Sequence, residues 1–463
     1  MSTESITVEV RVPRSRFRWV VAGLIFAVYT IAAADRANFG VALPFIRREF
    51  AMTNTAAGAL VSLFLLAYAI AQLPAGFGVG KFGVRWLFTV SMIGTSIATG
   101  LVGTATSLLV LKIYRFTLGL AEGPLPICIT ATINNWFPPR EKGTASGIFL
   151  SAVKFGPVIV PPICAVIISV WGWREIFYAF AIPGVLLSAV WFVLVKNHPS
   201  QSNKVNAEEL AYIVDDEPVR HAIELEGSTS SRLDPFIRVR EVHPLTTNRS
   251  IFASWNIWGC ALGYCFQLGI SNILLAWIPT YLITVKHFSV AGMGVVAAAP
   301  WVGAVAGNIL GGYVSDRFLG KRRKPGMMLS AFSTAIMMVA LISSPASTLA
   351  YGGLLLLTGI LLSFGYSGYM VYPMAIASRQ TFPIASSIVN MGGQLGGAAA
   401  PLIAGILLDS LGWDYVFGFM AISSVLSLIV VITIIEPIQR ATAQPQSPGT
   451  PLGRQAESVG TRN

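Results

Sequence analysis

The sequence predicts an all-α integral membrane protein, with twelve transmembrane helices in two pseudo-symmetric six-helix halves. Three observations carry this reading: composition, twelve long apolar runs, and a loop pattern that occurs once in each half. Of 463 residues, 54% are hydrophobic and only 11% are charged, about half the charged fraction of a soluble domain. The mean hydropathy is +0.67. A spanning helix needs about 20 apolar residues, so twelve use roughly 240 and leave the rest for loops and tails. A disordered chain, an ordinary cytosolic enzyme and a nucleic-acid binder are excluded, although the net charge is +11.

Apolar runs between charges place spans near 18–43, 56–79, 86–105, 107–131, 144–168, 173–195, 250–282, 290–314, 326–344, 351–376, 384–408 and 414–435. The first run is long and lacks a small-residue cleavage site, so it reads as a retained span rather than a cleaved signal. The expected units are 1–196 (first half), 197–248 (central loop), 249–437 (second half) and 438–463 (a disordered tail rich in Pro, Ser, Gly and Thr). The central loop holds nine of the 21 acidic residues, and Asn206–Ile213 within it has the pattern of a short amphipathic helix. Cys128, Cys164, Cys260 and Cys265 lie in apolar runs as small hydrophobes, with no metal-ligand spacing. Trp19, Trp171, Trp173 and Trp277 fall near span ends and suit an interfacial belt.

Basic residues hold loops on the cytoplasmic side. With the N-terminus inside, the short cytoplasmic loops carry Lys81, Arg85, Arg140, Lys142, Arg317, Lys321, Arg322, Arg323, Lys324 and Arg379, against Arg47, Arg48, Arg174 and Lys286 opposite. Both termini are therefore expected in the cytoplasm, and the protein in the inner (plasma) membrane.

The halves echo one another. Gly76-Phe-Gly-Val-Gly-Lys-Phe-Gly-Val-Arg85 follows span two, and Gly312-Tyr-Val-Ser-Asp-Arg-Phe-Leu-Gly-Lys-Arg322 follows span eight. A positive-inside turn alone would explain one copy but not two at matching positions. The pattern resembles the loop signature of the major facilitator superfamily, which implies the major facilitator fold and a gating role for Gly312, Asp316, Arg317, Gly320 and Arg322. The first copy departs from it, with Gly80 in place of the aspartate.

Ionisable groups inside spans are costly and usually functional. Asp35, Arg36, Lys112, Arg115, Glu122 and Lys154 all lie in the first half. The second half offers polar and aromatic groups such as Tyr264, Asn272, Tyr366, Asn390 and Gln394. Arg115 and Glu122 are seven residues apart, nearly two turns, so both can face one cavity about 10 Å apart along the axis. Two permanent cations and two titratable carboxylates suit an anion taken up with protons; the competing reading is a buried ion-pair network that fixes packing. Lys112, near a span end, reads as snorkelling.

Tyr29-x5-Asp35-Arg36, the Ala42-Leu-Pro-Phe-Ile46 exit, Arg115/Glu122, Trp136-Phe-Pro-Pro-Arg-Glu-Lys142 and Trp277-Ile-Pro-Thr-Tyr-Leu282 together resemble the anion:cation symporter family of that superfamily, which includes sugar-acid and aromatic-acid permeases and vesicular organic anion transporters. The resemblance implies that Arg36 and Arg115 hold a substrate carboxylate, that Asp35 and Glu122 couple protons, and that Tyr68 faces substrate. Ser151-Ala-Val-Lys-Phe155 departs from the sugar-acid pattern, which has an amide before an aromatic. Val153 removes a partner for hydroxyls and Lys154 adds a cation, favouring a second acidic group or an aromatic carboxylate; alternatively Lys154 forms a salt bridge to Glu122 or Asp35.

The expectation is a monomeric proton-coupled symporter of a small organic anion, needing no cofactor or metal beyond the coupling proton and no nucleic acid. The alternative is an organic anion or phosphate antiporter of the same fold. A uniporter would need no buried acids, and no nucleophile–base pair suggests a membrane enzyme.

Overall fold

The computed structural model describes residues 14–138, 140–214, 237–242, 244–319, 322–343, 347–378 and 381–438. Among them are twelve helices long and apolar enough to cross a membrane. Span one is Phe17–Glu49. Spans two and three form one helical run, Asn54–Gly103, broken at Gly83, whose φ of 74° turns the chain and favours glycine. Spans five to nine are Lys142–Val170, Arg174–Leu194, Trp255–Thr284, Val290–Arg317 and Lys324–Ile342. Spans eleven and twelve are Phe382–Ser410 and Trp413–Thr433.

Spans four and ten, counterparts in the two halves, are both interrupted. Span four runs Leu108–Glu122 and then Leu125–Trp136; span ten runs Thr348–Phe364 and then Tyr366–Ile376. In a bilayer such breaks persist where protein or a water-filled cavity surrounds the freed backbone groups. Glu122 is the last residue before one break, and Tyr366, the first after the other, lines the central cavity.

The halves meet where spans one, two and five pack on seven, eleven and eight. Lipid tails are as apolar as leucine, so close backbone approach rather than water exclusion holds such seams. Gly40 lies against the Leu275 carbonyl, Gly58 against that of Pro401, Gly294 against Ala165, and Gly405 against the Asn54 carbonyl. Within the second half, Gly303, Gly307 and Gly311 press span eight onto the backbone of span ten, as their spacing suggests.

All these seam contacts lie on the face away from the span-one start and span-twelve end. One apolar cluster there joins both halves, with Ala42, Leu60 and Cys164 packed into the same core as Leu274, Leu282 and Ala404. On the terminal face the core divides in two, around Phe88, Trp136 and Trp191 in one half and Met327, Tyr372 and Ile388 in the other. The molecule is sealed on the far face and parted on the terminal face.

Trp173 and Trp277 do not belong to an interfacial belt. Trp173 is buried and donates to Glu49, while Trp277 is buried in the seam and donates to the Pro401 carbonyl at 3.2 Å. Packing against a partner helix satisfies the indole N–H better than a position at the lipid headgroups would. The central loop does carry a helix, Ala207–Val214. Its Glu209 accepts from the Phe17 and Arg18 backbone amides and from the Arg18 guanidinium, capping the N-terminus of span one. The rest of the loop from 215 to 236, and the tail from 439, lie outside the described residues.

Candidate functional site

The parted face opens into a cavity of about 370 Å³ between the halves, within the range of small-molecule sites. Arg36, Tyr68 and Lys154 line it from the first half, and Tyr264, Asn272, Tyr366, Asn390 and Gln394 from the second. The sequence-predicted substrate residues Arg36, Tyr68, Lys154, Tyr264, Asn390 and Gln394 therefore converge on one cavity.

Arg36 enters from span one with its side chain 20% exposed and donates Nε and Nη2 to Glu122 Oε1 at 3.1 and 2.9 Å. Its guanidinium also lies over the Tyr68 ring, 4.4 Å from the centroid, where the ring's negative face attracts it. The second Glu122 oxygen is buried with no hydrogen-bond partner.

Arg115 does not join this cavity. It is 1% exposed, stacked on Phe39 at 3.9 Å and Phe64 at 4.4 Å, and its Nε and Nη1 have no hydrogen-bond partner. It borders a separate small void of about 20 Å³ on the sealed side, walled also by Arg36, Gly40, Asn272 and Leu275. The expectation that Arg115 and Glu122 face one cavity is thus corrected: Glu122 turns to Arg36, and the Phe39 and Phe64 rings wall Arg115 off. Arg36 borders both spaces. Asp35 lines neither; it is 3% exposed and accepts from Asn38 Nδ2 at 3.2 Å.

Lys154 makes no salt bridge to Glu122 or Asp35. Its Nζ lies 4.6 Å from the Tyr366 ring centroid and 5.8 Å from that of Trp301, so a cation of the first half rests on aromatic faces of the second. The Tyr366 hydroxyl is hydrogen-bonded to that of Tyr264 at 2.7 Å. The cavity therefore presents two cationic heads, one paired with a carboxylate and one held only by rings.

Tyr29, Gln72, Trp301, Ser386 and Ser387 also line the cavity, residues to which the sequence alone assigns no substrate role. Spacing could have found two of them: Tyr29 is seven residues before Arg36 and Gln72 is four after Tyr68, each on the same helix face. Trp301 carried no signal, being an aromatic in an apolar run.

In the gating motif, Arg317 is exposed and Arg322 is buried. The Ser315 hydroxyl accepts from Arg323 and donates to the Arg322 carbonyl, and the Arg323 and Lys324 amides donate to Glu436. Gly312 is half-buried; the Asp316 side chain and Gly320 lie outside the described residues. In the first half, where the aspartate is missing, the Asn197 side chain accepts from the Arg85 amide.

The family model of the Major Facilitator Superfamily matches residues 25–382 and 287–458. A probable L-galactonate transporter of Escherichia coli (strain K12) is 30% identical over 84% of this chain and 82% of its own length. A probable galactarate/D-glucarate transporter of Bacillus subtilis (strain 168) is 27% identical over 94% and 95%, and a probable sulfoacetate transporter of Cupriavidus necator 27% over 92% and 97%. Among solved structures, an inward-facing, unoccupied bacterial homolog of the human lysosomal transporter Spinster superposes with a TM-score of 0.71 at 17% identity, covering 90% of this chain and 96% of that one. A D-xylose-proton symporter superposes at 0.70 and 15%, covering 90% and 98%. These last two likenesses speak for the fold. With twelve spans, two halves around one cavity and relatives named as probable transporters of sugar acids and other organic anions, the chain is a multi-pass membrane transporter that belongs to the Major Facilitator Superfamily.

Proposed function

We propose that this protein is a proton-coupled symporter that imports a small carboxylate by alternating access. The observation that carries the reading is the cavity wall, where the Arg36 fork and the Lys154 ammonium meet a space open on one side only. An arginine fork matches a carboxylate with two parallel hydrogen bonds. Relatives named for galactonate, galactarate, glucarate and sulfoacetate support an organic anion. With the termini cytoplasmic, as the loop charges suggest, the described state is open to the inside.

A carboxylate reaching Arg36 competes with Glu122 for the same guanidinium. An ionised carboxylate left unpaired in an apolar surround is costly, so protonation of Glu122 accompanies its release, and by linkage the proton strengthens anion binding. Asp35 lies outside the cavity, within range of the charges of Glu122 and Arg115.

Exchange of organic anions or phosphate is the second reading, favoured by the position of Asp35 outside the cavity. Proteoliposome uptake of galactonate, galactarate and sulfoacetate, with and without an inward pH gradient, separates the two. Concentrative uptake that needs the gradient supports symport; counterflow without gradient-driven accumulation supports exchange; no transport of any of the three refutes the carboxylate assignment.

A further inference from the structure

A second basic pocket lies at the seam of the sealed face, about 340 Å³ in volume and lined by Pro44, Phe45, Arg47, Arg48, Ile283 and Thr284. Its walls come from the last turns of spans one and seven, one from each half. Arg47 Nε is buried with no hydrogen-bond partner. The nearby acids act on these guanidiniums only at a distance, because their oxygens are bonded to other groups. Glu49 accepts from Trp173 and pairs with Arg174. Asp409, whose charge reaches Arg47, accepts from the Asn54 and Thr55 amides at 2.8 and 2.7 Å.

Cations at a helix C-terminus are favoured by the dipole alone, but that bland account explains neither the concavity nor the buried, unpartnered Nε. The helix geometry adds a third fact. Arg36 and Arg47 are eleven residues apart on one continuous helix, which is three turns, about 16 Å, and an azimuth difference of about 20°. They mark a single stripe of span one, with Gly40 between them closed against the Leu275 carbonyl of span seven. Parting the halves on this face would open that seal and join the basic pocket to the cavity at Arg36.

We propose that Arg47, Arg48 and Thr284 form an entry site that captures the anionic group of the transported carboxylate before the far face opens, and that the stripe to Arg36 is its path inward. This rests on the carboxylate reading above and on the far face being the outer one. Charged clefts of this kind raise association rates in a salt-dependent way.

The test is galactonate uptake in phosphatidylcholine proteoliposomes, which carry no anionic headgroup, at low and high ionic strength. Arg47→Gln and Arg48→Gln should each raise KM for entry at the far face about five- to tenfold at low salt, flatten its salt dependence, and leave maximal rate and KM for entry at the terminal face within twofold. Arg47→Lys should retain most of the wild-type salt dependence. If Arg47→Gln fails to reach the membrane, Arg48→Gln on its exposed side chain carries the test. Unchanged KM and salt dependence overturn the entry site while wild-type transport keeps the carboxylate reading intact. An effect seen only after anionic lipid is added assigns the pocket to headgroups and overturns it too. Absence of wild-type transport of galactonate, galactarate and sulfoacetate overturns both.

Discussion

Arg36 gives two hydrogen bonds to a single oxygen of Glu122, at 3.1 and 2.9 Å, and leaves the other Glu122 oxygen without a partner. The pair is neutral overall but incompletely satisfied, as a site built to exchange one carboxylate for another would be. It also sets Arg36 apart from Arg115, which stacks on two rings and has no hydrogen-bond partner at Nε or Nη1.

That difference separates two variants. Arg36→Lys removes the planar fork and should weaken galactonate binding and cut transport at least about tenfold. Arg115→Lys should cut transport similarly but leave binding in the state open to the terminal face within about threefold, because Arg115 is walled off there. Thermal-shift binding beside proteoliposome uptake checks both; equal loss of binding in the two variants would place Arg115 in the accessible site.

Lys154 is free of carboxylates and reaches across to Tyr366. Lys154→Met should lower galactarate uptake relative to galactonate about tenfold, since only the diacid has a second charge to place there. An unchanged ratio would make the lysine a packing element between the halves.

For the proton step, Asp35→Asn should abolish uphill uptake. Glu122→Gln should impair uptake while leaving counterflow partly intact, because the amide still offers an oxygen to Arg36 but can no longer exchange a proton. Imposing the pH gradient and the membrane potential separately reads this directly. If Asp35→Asn still concentrates substrate under the gradient, Asp35 takes no part in coupling and Glu122 alone carries the proton.

The far-face seal should be adjustable. Gly40→Ala puts a methyl into the Leu275 carbonyl, and Asp409→Ala removes the bonds that tie span eleven to the start of span two. Either change should raise the labelling rate of a cysteine placed at Val61, which borders the sealed void, several-fold from the far side. Unaltered labelling in both would mean that other contacts carry the seal.

Outside the spans, burial pushes the Glu141 carboxyl up, but hydrogen bonds and the charge of Arg18 outweigh it and hold it below its usual 4.5. A carboxyl depressed in the folded state stabilises at pH above its unfolded value and loses that contribution as pH falls through its folded value. Melting of the detergent-solubilised protein should thus become acid-sensitive below about pH 4.5, and Glu141→Gln should reduce that sensitivity. Arg18→Met should be the more damaging change, on the order of 3 kcal/mol, because it leaves Glu209 buried and without its cation.

Span number, the division into halves and the identity of the charged residues were legible in the sequence because each depends on local chemistry. Twenty apolar residues in a row must be helical in a bilayer, and a charge within such a run is conspicuous whatever surrounds it. Arg36 and Lys154 as charges, and Asn390 and Gln394 as polar groups, could be named from that alone, whereas Tyr68 came from the family resemblance. Which charge meets which partner was decided by tertiary structure. Arg115 and Glu122 share a helix face by spacing, yet Glu122 bonds Arg36 from span one and Arg115 is enclosed by Phe39 and Phe64. Lys154 finds Tyr366 of the other half rather than an acid, and Trp277 lies in the seam rather than at the lipid surface. Pairing depends on how helices distant in sequence are rotated and staggered against one another, and backbone contacts at residues such as Gly40, Gly58 and Gly405 set that arrangement. Helical periodicity tells which side chains share a face; only the packed bundle tells what that face meets.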